Sequence, residues 1–422
     1  METESKDPKL EEKTQVIVFA LMFANFFRNL GLSIIEIGLP NFVLSLAGTL
    51  TSYGIIIGVF SITQSIFQLP MGRAADKLGR KLLILIGICI YVIGTFLCYL
   101  AQDIFQFIIF RAIQGAGAYS SILQAMVGDY YKKEDQHGKG MALFSVSMTL
   151  GYFGGIIIGG YISSYLGFRT IFLFSTILGI VSLLLVLFFI KEQKRGLKSY
   201  DNEKKEEIDV EKIKKNELLL LLKDTQFNAI VLLNGLRWFL FSGIYVLFIW
   251  QIQINFGLSQ IEATIYIMIL VAIYMFFILF GGYLSDNYGI KKILLYSQLL
   301  IIIIGLLVFI SATFIMFIII GIFIGIGFAL FQTSGYALLA KHIEECYPQL
   351  KGSAFGFNNA IGFFLGAIGP IIICYIGEIS MFLPYYMISI CILITYLVSI
   401  LLFKHIDGKG AKNHLEPNLK GV

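Results

Sequence analysis

Three arginines and one glutamate, Arg28, Arg111, Arg237 and Glu36, stand inside stretches of this chain that are otherwise almost wholly apolar. A charge in such a stretch is costly in lipid and calls for a partner, a water-filled cavity or a function. Glu36 is the only acid deep in a predicted span, Asp129 standing at the far end of the fourth. A helix turns 100° per residue, so Asn25, Asn29 and Glu36 lie within roughly 40° of one another. The first span therefore carries a polar stripe that must face water or other helices, not lipid. Arg28 and Arg237 hold guanidiniums that bind carboxylates and phosphates bidentately. Either they frame an anion, or each is satisfied by backbone carbonyls and by Asn25, Asn29 or Asn234.

Catalytic chemistry finds little support. No histidine, paired carboxylates or metal-ligand cluster share a depth, and no Gly-x4-Gly-Lys-Ser/Thr phosphate loop for an ATP-driven pump is present. No enzyme activity, cofactor or metal is expected. Cys89, Cys98, Cys346, Cys374 and Cys391 are scattered without CxxC spacing, which suits apolar packing. His137, His342, His405 and His414 fall in predicted loops or the tail, leaving no histidine inside the membrane as a proton relay.

The elements that must position these residues follow from composition. Of the 422 residues, 57% are hydrophobic and 14% charged, against about 25% charged in a soluble domain. The chain reads as an all-α integral membrane protein. Apolar runs place twelve transmembrane helices at 15–41, 53–72, 82–101, 104–129, 140–163, 170–190, 226–252, 263–284, 292–311, 313–339, 353–376 and 382–403. The run from Gln15 is long enough to span and reads as a first transmembrane helix, not a removable signal peptide.

Charge sets the orientation. With both termini inside, all but four of the 32 Lys and Arg residues fall in cytoplasmic tails and connections; Arg28, Arg111 and Arg237 are in spans and Arg169 faces outside. The net charge of +5 thus reflects topology and not a nucleic-acid partner. Residues 191–225 read as a cytoplasmic linker, its 203–215 stretch rich in both signs and its 217–223 stretch a short interfacial helix. This gives a six-helix bundle at 1–190, a second at 226–403 and a cytoplasmic tail at 404–422.

The two halves repeat. Gly72-x3-Asp76-x2-Gly79-Arg80-Lys81 recurs as Gly282-x3-Asp286-x2-Gly289, followed by Lys291 and Lys292. Asn25-x-x-Arg28 recurs as Asn234-x-x-Arg237, and Lys139-Gly140-Met141-Ala142 as Lys351-Gly352-Ser353-Ala354, at nearly the same offset. Two homologous six-helix bundles are the architecture of a secondary transporter.

The stretch Gly72-Arg73-Ala74-Ala75-Asp76-Lys77-Leu78-Gly79-Arg80-Lys81 resembles the loop between the second and third helices of the major facilitator superfamily (MFS). Arg111-x-x-Gln114-Gly115-x-Gly117-Ala118 resembles the family's R-x-x-Q-G-x-G-A signature, and Gly167-Phe168-Arg169-x-x-Phe172 its start of span 6. The first half is most similar to multidrug-efflux-type drug/proton antiporters. Ala74 and Lys77 depart mildly from the loop signature. The antiporter signature of span 5 keeps its glycines at Gly151, Gly155, Gly159 and Gly160 but has Ile156 where the family has Pro, and a Gly-Pro pair stands instead at Gly369-Pro370.

The resemblance implies roles. Glu36-x3-Pro40 is similar to the end of span 1 in those antiporters, whose acid couples to protons, and Arg28 stands where some carry a second acid. Spans 1, 4, 7 and 10 line the family's cavity, so Glu36 and Arg111, at a similar depth, are expected to form a pair. That pair could couple to protons, fix two helices as a static ion pair, or leave Glu36 to bind a cationic substrate. Asn25, Arg28, Asn29, Gln114, Asn234, Arg237, Trp238, Tyr245, Gln332, Tyr336 and Asn358 are expected to line the substrate cavity. Gly72, Asp76, Gly79, Arg80, Lys81, Asp129 and Asp286 are expected to form a cytoplasmic gate, with Asp76 near Gly352-Ser353. The expectation is a monomeric, proton-coupled exporter of amphipathic or hydrophobic small molecules in the cell membrane, its partners being substrate, lipid bilayer and protons. Import or exchange of small organic anions is the alternative, and a transport-fold sensor a second.

Overall fold

Lipid offers no hydrogen-bond partners, so a spanning chain must satisfy its backbone internally, and helices do so. The computed structural model describes residues 8–130, 134–190, 192, 221–310, 313–347 and 350–407, and among them no strand occurs. The helices are α1 (Pro8–Ser45), α2 (Leu50–Leu78), α3 (Arg80–Leu100), α4 (Ile104–Ala116), α5 (Ser120–Tyr130), α6 (Glu134–Tyr165) and α7 (Thr170–Phe189). After residue 220 come α8 (Thr225–Trp250), α9 (Gln260–Tyr288), α10 (Ile290–Leu306), α11 (Phe314–Cys346), α12 (Lys351–Ile379) and α13 (Leu383–Asp407). Among the described residues ten helical stretches are long and apolar enough to cross a membrane. The other two predicted spans are α4 with α5, broken between them, and α10, which is 17 residues long and runs on into a 3₁₀ turn at Leu307–Ile310. Residues 1–7, most of the predicted 217–223 helix and the tail beyond 407 lie outside the described residues, while residues 8–14 of the expected N-terminal tail belong to α1.

The α4–α5 break interrupts a span expected to be continuous. It falls at Gly117, whose missing side chain leaves room for the backbone of α3: a Cβ there would sit 2.5 Å from the Gly87 carbonyl and 2.7 Å from the Tyr91 nitrogen. Gly115, two residues earlier, lies as closely against the Phe60 carbonyl of α2. The glycines of the Gln114-Gly115-x-Gly117 stretch are thus backbone-approach positions on both sides of α4.

The repeated loops share one construction. Gly79 (φ 104°) and Gly289 (φ 92°) each end one helix and begin the next, a backbone conformation that side chains disfavour. Each glycine N–H closes the preceding helix, on Ala75 O and Ser285 O respectively, at 3.1 Å. Helices α2, α4 and α11 begin at the other end of their spans and are capped by Thr49, Asp103 and Thr313 side chains.

The described residues form two compact units. One holds α1–α7 together with Val246–Met268; the other holds α8 up to Tyr245 and the chain from Ile269 onward. In the first, the glycines of α6 form a ladder against α1: Gly151 meets the Phe26 carbonyl, Gly155 the Leu30 carbonyl and Gly159 the backbone of Ile34. Three small residues at helical spacing let two backbones touch, the device that replaces hydrophobic burial in lipid. The second unit does the same with Gly243 and Gly369, where α8 meets α12. Pro370 cannot donate to the Gly366 carbonyl, and the Ser242 hydroxyl does so at 2.7 Å.

Candidate functional site

In the first unit the polar stripe of α1 turns toward α6. Asn25 Nδ2 donates to the Phe144 carbonyl (3.0 Å) and Ser147 Oγ (2.8 Å), and Ser33 Oγ donates to the Tyr152 carbonyl (2.7 Å). Asn29 Nδ2 donates back to Asn25, to its carbonyl at 2.8 Å and to Oδ1 at 3.0 Å. One turn beyond Ser33, the Tyr152 hydroxyl donates to Glu36 Oε2 at 2.7 Å. The glycine ladder is what places this tyrosine, since it fixes the rotation and separation of the two helices. Pro40 leaves the Glu36 carbonyl without its usual helical donor, so the residue holding the acid sits where α1 lacks one helical hydrogen bond.

Arg111 is held by a network of α4 and α3. Its Nη1 donates to Gln114 Oε1 (2.6 Å), Gln114 Nε2 to Thr95 Oγ1 (2.7 Å), and Thr95 Oγ1 to the Tyr91 carbonyl (2.7 Å). Its guanidinium lies 4.5 Å from the centre of the Phe60 ring. Among the described residues no ion pair joins Glu36 to Arg111; Glu36 is bound by the neutral Tyr152 of α6, and Arg111 by the neutral Gln114 of its own helix. Arg28, 9% exposed, lies 5.5 Å from the Tyr119 ring.

The second unit repeats the plan with different chemistry. Asn234 Nδ2 donates to the Gly335 carbonyl (3.3 Å) and to Asn358 Oδ1 (3.2 Å), tying α8 to α11 and α12. Asn25 and Asn234 thus each bind the first helix of a half to its fifth. Arg237 is fully buried, its Nη1 donating to Gln332 Oε1 at 2.9 Å. That oxygen also accepts the Tyr274 hydroxyl at 2.8 Å. Trp238 Nε1 donates to Tyr336 Oη (3.3 Å), which donates to Asn359 Oδ1 (3.2 Å). Tyr245 stacks on Phe241, ring centres 6.1 Å apart.

Of the residues expected to form a gate, Arg80 Nη1 donates to the Ala125 carbonyl (2.6 Å) and Lys81 Nζ to the Leu187 carbonyl (2.9 Å). Both bonds close within the first unit. Gly72 has open space where a Cβ would be, and Asp286 is exposed. The side chains of Asp76 and Asp129, and those of Gly352-Ser353, lie outside the described residues.

Sequence reasoning missed several groups. Glu192, just beyond α7, accepts from the backbone N–H of Arg80 (3.0 Å) and Lys81 (2.8 Å) and so caps α3. Nothing in its sequence context marks it. His342 corrects the expectation that every histidine lies in a loop or tail: it is inside α11, 7% exposed, with Nε2 2.8 Å from Asp224 Oδ2. Asp224 Oδ1 accepts from the Gln226 and Phe227 N–H groups at the start of α8. Burial pushes the Asp224 carboxyl up, but the hydrogen bonds from His342 and Phe227 outweigh it and hold the group below the usual range. At the other end of α1, Asn41 Nδ2 donates to Gln253 Oε1 (3.2 Å) and Gln260 Oε1 (2.8 Å), while both glutamine amides donate to the Ile37 carbonyl. Gln253 sits in a π-helical turn, Gln251–Asn255, that continues α8.

Comparison with known proteins places this geometry. The Major Facilitator Superfamily profile matches residues 21–370 and 229–419. An uncharacterized MFS-type transporter of Methanocaldococcus jannaschii is 27% identical over 365 residues, 84% of this chain and 90% of that protein. The quinolone resistance protein NorA of Staphylococcus aureus is 25% identical over 378 residues, 88% of this chain and 92% of that one. An uncharacterized transporter of Buchnera aphidicola is 35% identical over 148 residues; the match spans 35% of this chain and only 38% of that relative's length. Among solved structures, a bacterial homologue of the human lysosomal transporter Spinster superposes with a TM-score of 0.74 at 16% identity, over 92% of this chain and 96% of that one. The D-xylose-proton symporter does so with 0.72 at 17%, over 92% and 97%. With all-helical halves, duplicated Gly-Asp-Gly loops and a profile match across nearly the whole length, this multi-pass membrane protein belongs to the Major Facilitator Superfamily of transporters.

Proposed function

We propose that the chain is a proton-coupled exporter of amphipathic or hydrophobic small molecules, with Glu36 as its proton site. The observation that carries this reading is the Tyr152–Glu36 hydrogen bond, 2.7 Å, in place of a bond to an arginine. A carboxylate accepts the tyrosine hydroxyl in a charge-assisted bond; a protonated carboxyl accepts it more weakly, through its carbonyl oxygen, and brings a donor of its own. Loading a proton therefore changes the α1–α6 contact at the point where Pro40 has already loosened α1. Arg111, held by Gln114, supplies positive charge to the same unit without fixing Glu36 in a permanent pair.

The names of relatives support the substrate class: NorA is a quinolone resistance protein, and MdtP of Bacillus subtilis, 28% identical over 184 residues, a multidrug transporter. In this reading both termini are cytoplasmic, and the protein works as a monomer in the cell membrane by alternating access. The Asp76, Arg80, Lys81, Asp129 and Asp286 loops, with Gly72 and Gly79, bias access from the cytoplasm. A second reading, import or exchange of small organic anions, is favoured by the buried Arg28, Arg111 and Arg237.

The test is proton release in weakly buffered detergent solution, following a pH-sensitive dye while lipophilic cations, neutral drugs and organic anions are added in turn. Release with at least one compound, lost in Glu36→Gln, is the expected result. Release that survives in Glu36→Gln would move the proton off span 1.

A further inference from the structure

Arg237 is the most completely buried charge described in the second unit, at 0% exposure. Its Nη1 is used by Gln332. Its Nε and Nη2 are both buried and have no hydrogen-bond partner. Those two nitrogens form one edge of the guanidinium, the fork that grips both oxygens of a carboxylate. Arg28 and Arg111 differ, each leaving only Nε buried and without a partner.

The surroundings do not neutralise this charge. Arginine stays protonated at any physiological pH. Among the described residues no ion pair reaches Arg237, and its contacts are one neutral amide oxygen and two aromatic faces. The Trp238 and Tyr336 ring centres lie 4.9 and 5.8 Å from its central carbon. One amide oxygen and two such faces fall short of what burying a guanidinium costs. Gln332 Oε1 already accepts from Tyr274 as well, so it has little further capacity. Trp238, Tyr274, Gln332 and Tyr336 are themselves only half-buried.

We propose that Arg237 is an anion subsite: its Nε–Nη2 fork takes the carboxylate of an amphipathic organic acid whose aromatic or apolar body lies against Trp238 and Tyr336. This deepens the transporter reading by naming a substrate class, and it rests on the second unit facing substrate, not on proton coupling or on direction.

The test uses purified full-length protein with Trp250→Phe, which leaves Trp238 as the sole tryptophan, since the chain has two. Benzoate, 2-naphthoate and 4-biphenylcarboxylate are titrated against their neutral amides, with Trp238 fluorescence as the readout. Preference for at least one carboxylate over its amide by about tenfold or more is expected, the scale of one charge-assisted hydrogen bond. Arg237→Gln should abolish that preference, and Arg237→Lys, which keeps the charge without the fork, should reduce it. Equal binding of acid and amide for all three pairs, no binding of any acid, or a preference that survives in Arg237→Gln would overturn the proposal. So would full preference in Arg237→Lys, which would remove the fork from the explanation. Because binding is measured without a gradient, loss of proton coupling in liposomes would leave a positive result here standing.

Discussion

Asp224 joins two elements at once, and removing it should separate its two tasks. Its Oδ1 caps α8 through the N–H groups of Gln226 and Phe227, and its Oδ2 holds the buried His342 of α11. Losing an N-cap costs about 1 kcal/mol, and a buried polar group left without its partner about 1–3 kcal/mol. Asp224→Ala should therefore destabilise the protein by about 2–4 kcal/mol. Asp224→Asn keeps an oxygen for the cap and a neutral bond to His342, and should cost about 1 kcal/mol. Thermal unfolding of the purified protein in detergent, followed by tryptophan fluorescence, separates the two.

The pH dependence follows from the same group. A carboxyl held below its ordinary value contributes stability that is present above about pH 4, the unfolded range, and is lost as pH falls through the folded value. The difference between wild type and Asp224→Asn should accordingly shrink as the carboxyl protonates in acid. Tyr347 beside the pair does not titrate there, since burial and the Asp224 charge push its hydroxyl up to about 12. If Asp224→Ala melts with wild type, or Asp224→Asn melts with Asp224→Ala, the division into cap and buried partner is wrong.

Two further substitutions test the framework. Gly155→Val puts a Cβ 2.7 Å from Ser33 Cβ and against the Leu30 carbonyl, and should cost more than about 2 kcal/mol in thermal unfolding. Its neighbour Gly154, where a Cβ would meet only the end of the Leu30 side chain at 3.1 Å, should accept alanine within about 0.5 kcal/mol. Glu192→Ala should release the Arg80 and Lys81 amides, raising hydrogen exchange across 79–82 and costing about 1 kcal/mol; unchanged exchange would mean the cap is not maintained in solution.

Much of the architecture was legible because lipid imposes a single rule, an apolar run long enough to cross, and the duplicated loops marked its punctuation. The break after Ala116 was not, because Gly115 and Gly117 interrupt an apolar run without charge or proline, and only the approach of α2 and α3 shows their purpose. His342 was misplaced because Lys341, Glu344 and Glu345 surround it and make the last turns of α11 read as a loop. The expected Glu36–Arg111 pairing rested on shared depth and on the family's cavity-lining spans. Depth along a helix says nothing of the direction in which a side chain points, and that is set by the glycine ladder, which turns Glu36 to Tyr152. Likewise the repeat disclosed that Asn25 and Asn234 correspond, but not that both Nε and Nη2 of Arg237 would be buried without a partner.

The central claim is that transport is coupled to protons through Glu36. Protein reconstituted in liposomes with a pH-sensitive dye inside and an imposed proton gradient, given the same panel of compounds, tests it most directly. The account predicts substrate-triggered proton movement in the wild type that disappears in Glu36→Gln. Substrate flux without proton movement, unaltered by the substitution, would contradict it and leave Glu36 as part of the α1–α6 packing.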